Sequence, residues 1–220
     1  MALTYNDVKN EIASAVNSDY KATVYWTRLH EKGAGYKEAH QYAIRVGQVT
    51  GKVLKKYQPE DISDWDIEDL IPGVLGLNHK MVAEACREAQ KNLNRRAGVG
   101  MEPQTPKFDG NRAYGMAEHL KDRGEVGPEF YDQVENFDQN VVDESIRENA
   151  EEQSEAGLHA KIVRTAESGC CKWCDDLAGT YDYEEVRDTG NPIWARHDNC
   201  RCLIEYIAEK RERVNNYRRR

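Results

Sequence analysis

Ser168-Gly169-Cys170-Cys171-Lys172-Trp173-Cys174 and Arg196-His197-Asp198-Asn199-Cys200-Arg201-Cys202 are the stretches on which the reading of this chain turns. Cys171-x2-Cys174 has the knuckle spacing with which one tight turn points two thiolates at one ion. After an interval of 22 residues, His197-x2-Cys200 offers a second pair. Cys202 follows Cys200 by two, so on a strand both face one side. Tetrahedral zinc takes four N or S ligands, and five candidates are present: Cys171, Cys174, His197, Cys200 and Cys202. Cys171 and Cys174 rank first and Cys200 next, while His197 and Cys202 compete for the rest and Cys170 is a neighbour. Disulfides, or reduced thiols without a ligand, are the competing readings. Four protein ligands make an ion structural, able to hold together a module too small to be stable alone.

The residues around the cluster alternate like strands: Leu158 to Thr165, Leu177 to Tyr183 and Cys202 to Ile207. A polar insertion, Glu184 to Pro192, carries a turn at Gly190-Asn191-Pro192. Upstream, the period changes to 3.6. Val8, Ile12 and Val16 follow the capping residues Thr4 and Asn6, and a second helical run from Tyr20 to Leu29 closes at Gly33-Ala34-Gly35. A third begins near Tyr36 with Ala39, Tyr42, Ala43, Val46, Val49, Val53, Leu54 and Tyr57 on one stripe, and breaks at Pro59. Pro72-Gly73 predicts a turn, followed by a helix from Leu77 to Asn94. Another covers Asn111 to Lys121. A long acidic helix starts at Pro128, buries Phe130, Val134, Phe137, Val141 and Ile146, and fades near Ala156-Gly157.

The expected fold is α+β, a mostly helical N-terminal region followed by a small zinc-stapled α+β C-terminal module. The expected divisions are 1–97 helical, 98–110 linker or loop, 111–156 acidic helical, 157–208 the Cys/His-rich module and 209–220 a basic tail.

Composition narrows the classes further. The chain has 220 residues, of which 39% are hydrophobic and 32% charged; Leu, Ile, Val and Phe are scarce, which predicts a core in patches rather than one large continuous core. No run approaches the roughly 18–20 apolar residues of a membrane span. The first residues carry no basic region followed by an apolar run, which points to a cytoplasmic protein or one that leaves without secretion. From Glu125 to Glu155 there are eleven acidic residues against Arg147 alone, while Glu209 to Arg220 holds six basic residues and two acidic. The acidic helix suits a solvated surface or a docking face for a basic partner. A net charge of −8 disfavours general nucleic-acid binding, with Arg218, Arg219 and Arg220 as the exception. Cys86, alone in Ala-Glu-Ala-Cys-Arg-Glu-Ala, reads as a small core residue.

Catalytic patterns are missing. Zinc deaminases need His-x-Glu before Pro-Cys-x-x-Cys, whereas His159-Ala160-Lys161 puts lysine where the proton-shuttling glutamate belongs. There is no phosphate loop, no His-Glu-x2-His and no Gly-x-Ser-x-Gly, so nothing in the sequence requires an enzyme.

Cys171-x2-Cys174, then Leu177-x-Gly179, then His197-x2-Cys200-Arg201-Cys202 resembles the C-terminal module of phage head-morphogenesis proteins, the minor head (minor capsid) proteins similar to protein F of phage Mu. The resemblance covers about fifty residues, Val163 to Cys202 with their flanks, and departs at Asp198, where the family often has proline. It implies a virion protein present in few copies, host cytoplasm during assembly, and contact with the portal or the major capsid protein. Packaged DNA is a further expected contact, through the basic tail. The alternative is a cytoplasmic zinc-binding regulator that touches nucleic acid through the Arg-rich tail.

Overall fold

Thr4 sets the first helix. Its side chain caps the turn and Asp7 reaches back to the Thr4 amide, a reciprocal box that starts α1, Tyr5–Ser18, with Val8, Ile12 and Val16 buried. The structure is a computed structural model that describes residues 4–57, 64–123, 127–188, 190–197 and 200–209. Asp19 caps α2, Tyr20–Lys32, which ends where Gly33 takes a left-handed φ of 66°. α3, Tyr36–Leu54, keeps the predicted stripe inward. α4 spans Asp64–Ala97, α5 Gly110–Arg123 and α6 Pro128–Glu155.

α4 corrects the expected turn at Pro72-Gly73, because the helix runs straight through it. Ile67, Leu70, Ile71, Val74 and Leu75 are buried around the proline, so core packing outweighs the lost amide. Tyr5 helps: its hydroxyl donates to the Gly73 carbonyl at 3.1 Å, and its ring lies where a Cβ at Gly73 would stand, 2.4 Å from Cε2. The stretch 98–109 has no regular structure, as expected of a loop, but it is strapped to the helices rather than slack. Asn94 donates to the Met101 carbonyl at 2.7 Å, Asn149 exchanges bonds with the main chain of Gln104, and the Phe108 ring meets those of His79 and Phe137.

After α6, β1 (His159–Thr165), a short helix α7 (Lys172–Asp176), β2 (Gly179–Asp182), a second short helix α8 (Tyr183–Val186), a 3-10 turn (Pro192–Trp194) and β3 (Leu203–Glu209) complete the α+β fold. The sheet is antiparallel in the order β2-β1-β3, with Ile162 opposite both Tyr181 and Tyr206. Among its described residues the insertion Glu184 to Pro192 is exposed or half-exposed except for Val186, which is buried with the flanking Tyr183, Ile193 and Trp194, and the Trp194 indole donates to the Val186 carbonyl at 2.6 Å. β3 starts only at Leu203, so Cys200 and Cys202 reach the cluster from the approach to the strand rather than from within it.

The core also departs from expectation. One continuous cluster runs from Val8 in α1 through all six long helices to Ile204 and Tyr206 in β3. Small residues let the helices approach closely: a Cβ on Gly47 of α3 would lie 2.9 Å from Glu135 Cα of α6. Buried amides and carboxylates supply the rest, most of their polar atoms hydrogen-bonded, with Asn136 Oδ1 and Asp138 Oδ1 the exceptions among the described residues. Thr50 donates to Asn78 and Asn78 to Asp138, each at about 3 Å, while Gln90 and Gln153 both donate to Asn94 at 2.8 Å. α6 is therefore not a plain solvated acidic helix. Its Asp138 and Asp143 are inside, and burial holds the Asp138 carboxyl well above the usual carboxylate range.

Candidate metal centre

Two arms meet at the end of the sheet. Past β1, the chain reverses at Gly169, whose φ of 81° is left-handed, and Cys171 then leads into α7 with Cys174 one turn on. The second arm, from Arg196 to Cys202, returns across α6 to enter β3. Together they gather Cys171, Cys174 and His197 in one group and Cys174, Cys200 and Cys202 in another, each with its ligand atoms within 4.8 Å. Cys174 is common to both. All five predicted ligands thus fall in one place, and Cys170 packs at the edge. Among the described residues, no disulfide joins them.

The spacing fits a thiolate-bound ion. Zn–S bonds of about 2.3 Å in a tetrahedron set sulfurs about 3.8 Å apart. Cys174 Sγ and Cys200 Sγ are 3.8 Å apart, and His197 Nε2 lies 3.0 Å from Cys174 Sγ and 3.4 Å from Cys171 Sγ. A cleft of about 190 Å3 opens between them, lined also by Glu167, Ser168 and Arg201. Cys174, Cys200 and Cys202 are buried whereas Cys171 and His197 are exposed, so solvent reaches the site from the side of Cys171 and His197. The donor set is sulfur-rich and soft, which suits zinc and disfavours magnesium or calcium.

Two buried arginines that sequence reading passed over flank the thiols. Arg164 sits on the inward phase of β1 with Ala160 and Ile162, only 2% exposed. Its guanidinium donates to the Ile193 and Ala195 carbonyls and lies 4.0 Å from Cys174 Sγ and 3.9 Å from Cys200 Sγ. It also stacks on Trp173, 5.3 Å from the ring centre. Arg196 lies 3.9 Å from Cys200 Sγ on the other side and pairs with Asp143. Burial works against the Arg196 charge, but Asp143 outweighs it and keeps the guanidinium firmly protonated. Burial, with neighbouring Cys202 and Cys200, pushes the Cys174 thiol up. Cys200, though burial opposes it, is held below its usual value by the Cys202 amide and Arg196. The only sequence signal for Arg164 was a cation on the apolar phase of a strand.

His159 stands in β1 outside both ligand groups. Arg218, Arg219 and Arg220 lie outside the described residues, as do Asp198 and Asn199. A separate groove of about 1040 Å3 follows α6, lined by Glu144, Glu148, Glu151 and Glu152 together with Lys107, Arg147 and Arg187. Among the described residues no helix is long and apolar enough to cross a membrane. Compared with known protein families, characterised proteins and solved structures, the chain matches none.

Proposed function

We propose that this chain is a non-catalytic minor head protein of a phage, with one structural zinc in the Cys/His cluster. The observation that carries the reading is the convergence of Cys171, Cys174, His197, Cys200 and Cys202, the residues on which the family resemblance rests, into two ligand groups that share Cys174. Four protein donors from these five residues would leave no open coordination position on a tetrahedral ion, which suits a staple rather than a catalyst. The acidic groove along α6 offers charged contacts to a basic surface of a portal or major capsid protein, and such contacts weaken with salt. A nucleic-acid-reading knuckle is the poorer fit. Trp173 is 40% exposed, but Lys172 beside it pairs with Asp176 at 3.7 Å and Asp175 is exposed on the same turn. Contact with packaged DNA is left to Arg218, Arg219 and Arg220.

The test is co-expression with portal and capsid genes of the phage that encodes the chain. The protein is expected in purified proheads and virions at low salt, with partial loss at moderate salt. Absence from proheads and virions at both low and moderate salt overturns the virion reading and favours the regulator.

A further inference from the structure

We infer that Asp143, Gln139 and Arg196 are positioning residues of the metal centre, through which α6 holds the loop that presents His197, Cys200 and Cys202. This rests on reading the cluster as a metal site.

The loop hangs from α6 by the main chain of its own candidate ligands. Asn136 donates to the His197 carbonyl at 3.2 Å, and Gln139 donates to the Cys200 carbonyl at 2.9 Å. The Cys202 carbonyl takes a bond of 2.8 Å from Arg196, which thereby bridges the two ends of the loop. Arg196 does not do this alone. Its Nε and Nη2 meet the two carboxylate oxygens of Asp143 at 2.6 and 2.8 Å, and its Nη1 also reaches Gln139 Oε1 at 2.8 Å. All three side chains are buried or nearly so: Asp143 is 1% exposed, Arg196 6% and Gln139 1%. Behind them, His40 of α3 sets Nε2 3.4 Å from Asp143 and accepts from the Ile204 amide, the second residue of β3, at 3.3 Å.

A bidentate carboxylate fixes the plane of a guanidinium, so the Arg196 donors cannot swing without breaking the pair. The direction of each ligand side chain follows from its main chain. Releasing these carbonyls frees the loop to move by the fraction of an ångström that metal geometry does not tolerate. Residues behind metal ligands typically set affinity by 10- to 100-fold.

The experiment compares full-length wild type with Asp143→Asn, Gln139→Ala, Arg196→Lys and the control Asp138→Asn. Asp138 is an equally buried carboxylate of α6 that bonds Asn78 of α4 instead of the loop. For each, Zn2+ affinity is measured by chelator competition, the Co2+–thiolate absorption is recorded, and the melting temperature of the metal-free chain is taken. Asp143→Asn and Arg196→Lys are expected to weaken Zn2+ by about 10- to 100-fold and to alter the Co2+ band. Gln139→Ala, which leaves the buried ion pair whole, is expected to weaken Zn2+ several-fold, and keeps the test open should Asp143→Asn fold poorly. Asp138→Asn is expected to keep wild-type affinity even if its melting point moves. Wild-type affinity and spectrum in folded Gln139→Ala and Asp143→Asn overturn the inference, as does an equal loss in Asp138→Asn. Wild type that takes up neither Zn2+ nor Co2+ overturns the metal reading itself.

Discussion

At the scale of single residues, burial decides which side chains react. Cys86 is 1% exposed and burial pushes its thiol up to about 12, while Cys171 is exposed at the knuckle. In metal-free native protein at pH 8, an alkylating reagent is expected to modify Cys171 readily and Cys86 only after denaturation; mass spectrometry of the tryptic peptides reads the order. His40 gives the pH signature. Burial drives its pKa down to about 3, with Arg196 adding to the effect and Asp143 opposing it. Its unfolded value is about 6.5, so the native state binds fewer protons. The contribution of neutral His40 is therefore complete above about pH 6.5 and is lost as pH falls towards 3, at up to about 1.4 kcal/mol per pH unit. Chelated, reduced wild type is expected to lose melting temperature between pH 6.5 and 4, and His40→Gln to lose distinctly less over that range. Parallel curves for the two would reject the assignment. The ligands were legible because thiols at knuckle spacing have few other uses. Arg164, Arg196 and Asp143 were not, since a charged residue declares burial only when its partner is known, and Asp143 lies 53 positions from Arg196.

At the scale of elements, the close crossings carry the predictions. A Cβ on Gly47 meets the main chain of α6 at 2.9 Å, so Gly47→Ala is expected to push the two helices apart and cost about 1–3 kcal/mol in denaturant unfolding. Gly115, inside α5, has nothing within 4 Å of the place its Cβ would take. Gly115→Ala is expected to stabilise by about 0.5–1 kcal/mol, and a reversed order of the two midpoints would contradict this packing. Helices α1, α2, α3, α5 and α6 were legible from apolar spacing and caps, because their buried faces repeat at 3.6 residues. α4 was legible only from Leu77 to Asn94; its earlier part was not, since a Pro-Gly pair is a local turn signal and only the core around Leu70 and Val74 overrides it. The insertion Glu184 to Pro192 was legible as polar, and what a short window missed is Val186 within it, buried with Tyr183 and Trp194 on either side.

At the scale of the whole molecule, the scarce large apolar residues were a poor guide to core size. Alanines, close-packed glycines and paired amides let one core extend from α1 to β3, so the Cys/His arm is built onto the helical body rather than tethered beside it. An ion bound only by the native cluster stabilises the native state by mass action, so zinc is expected to raise the melting temperature of the entire cooperative unit. Because bound thiolates have lost their protons, that increment should shrink as pH drops. Cys171→Ser and Cys200→Ser are expected to abolish the increment and to expose the chain after Gly157 to limited proteolysis, whereas Cys86→Ser keeps both. The most direct test of the central claim is the metal content of the chain purified under reducing conditions without chelator. The account predicts about one zinc per chain, reduced to near zero by Cys174→Ser and unchanged by Cys86→Ser. A metal-free wild-type chain that is folded and gains no stability from added zinc would contradict it.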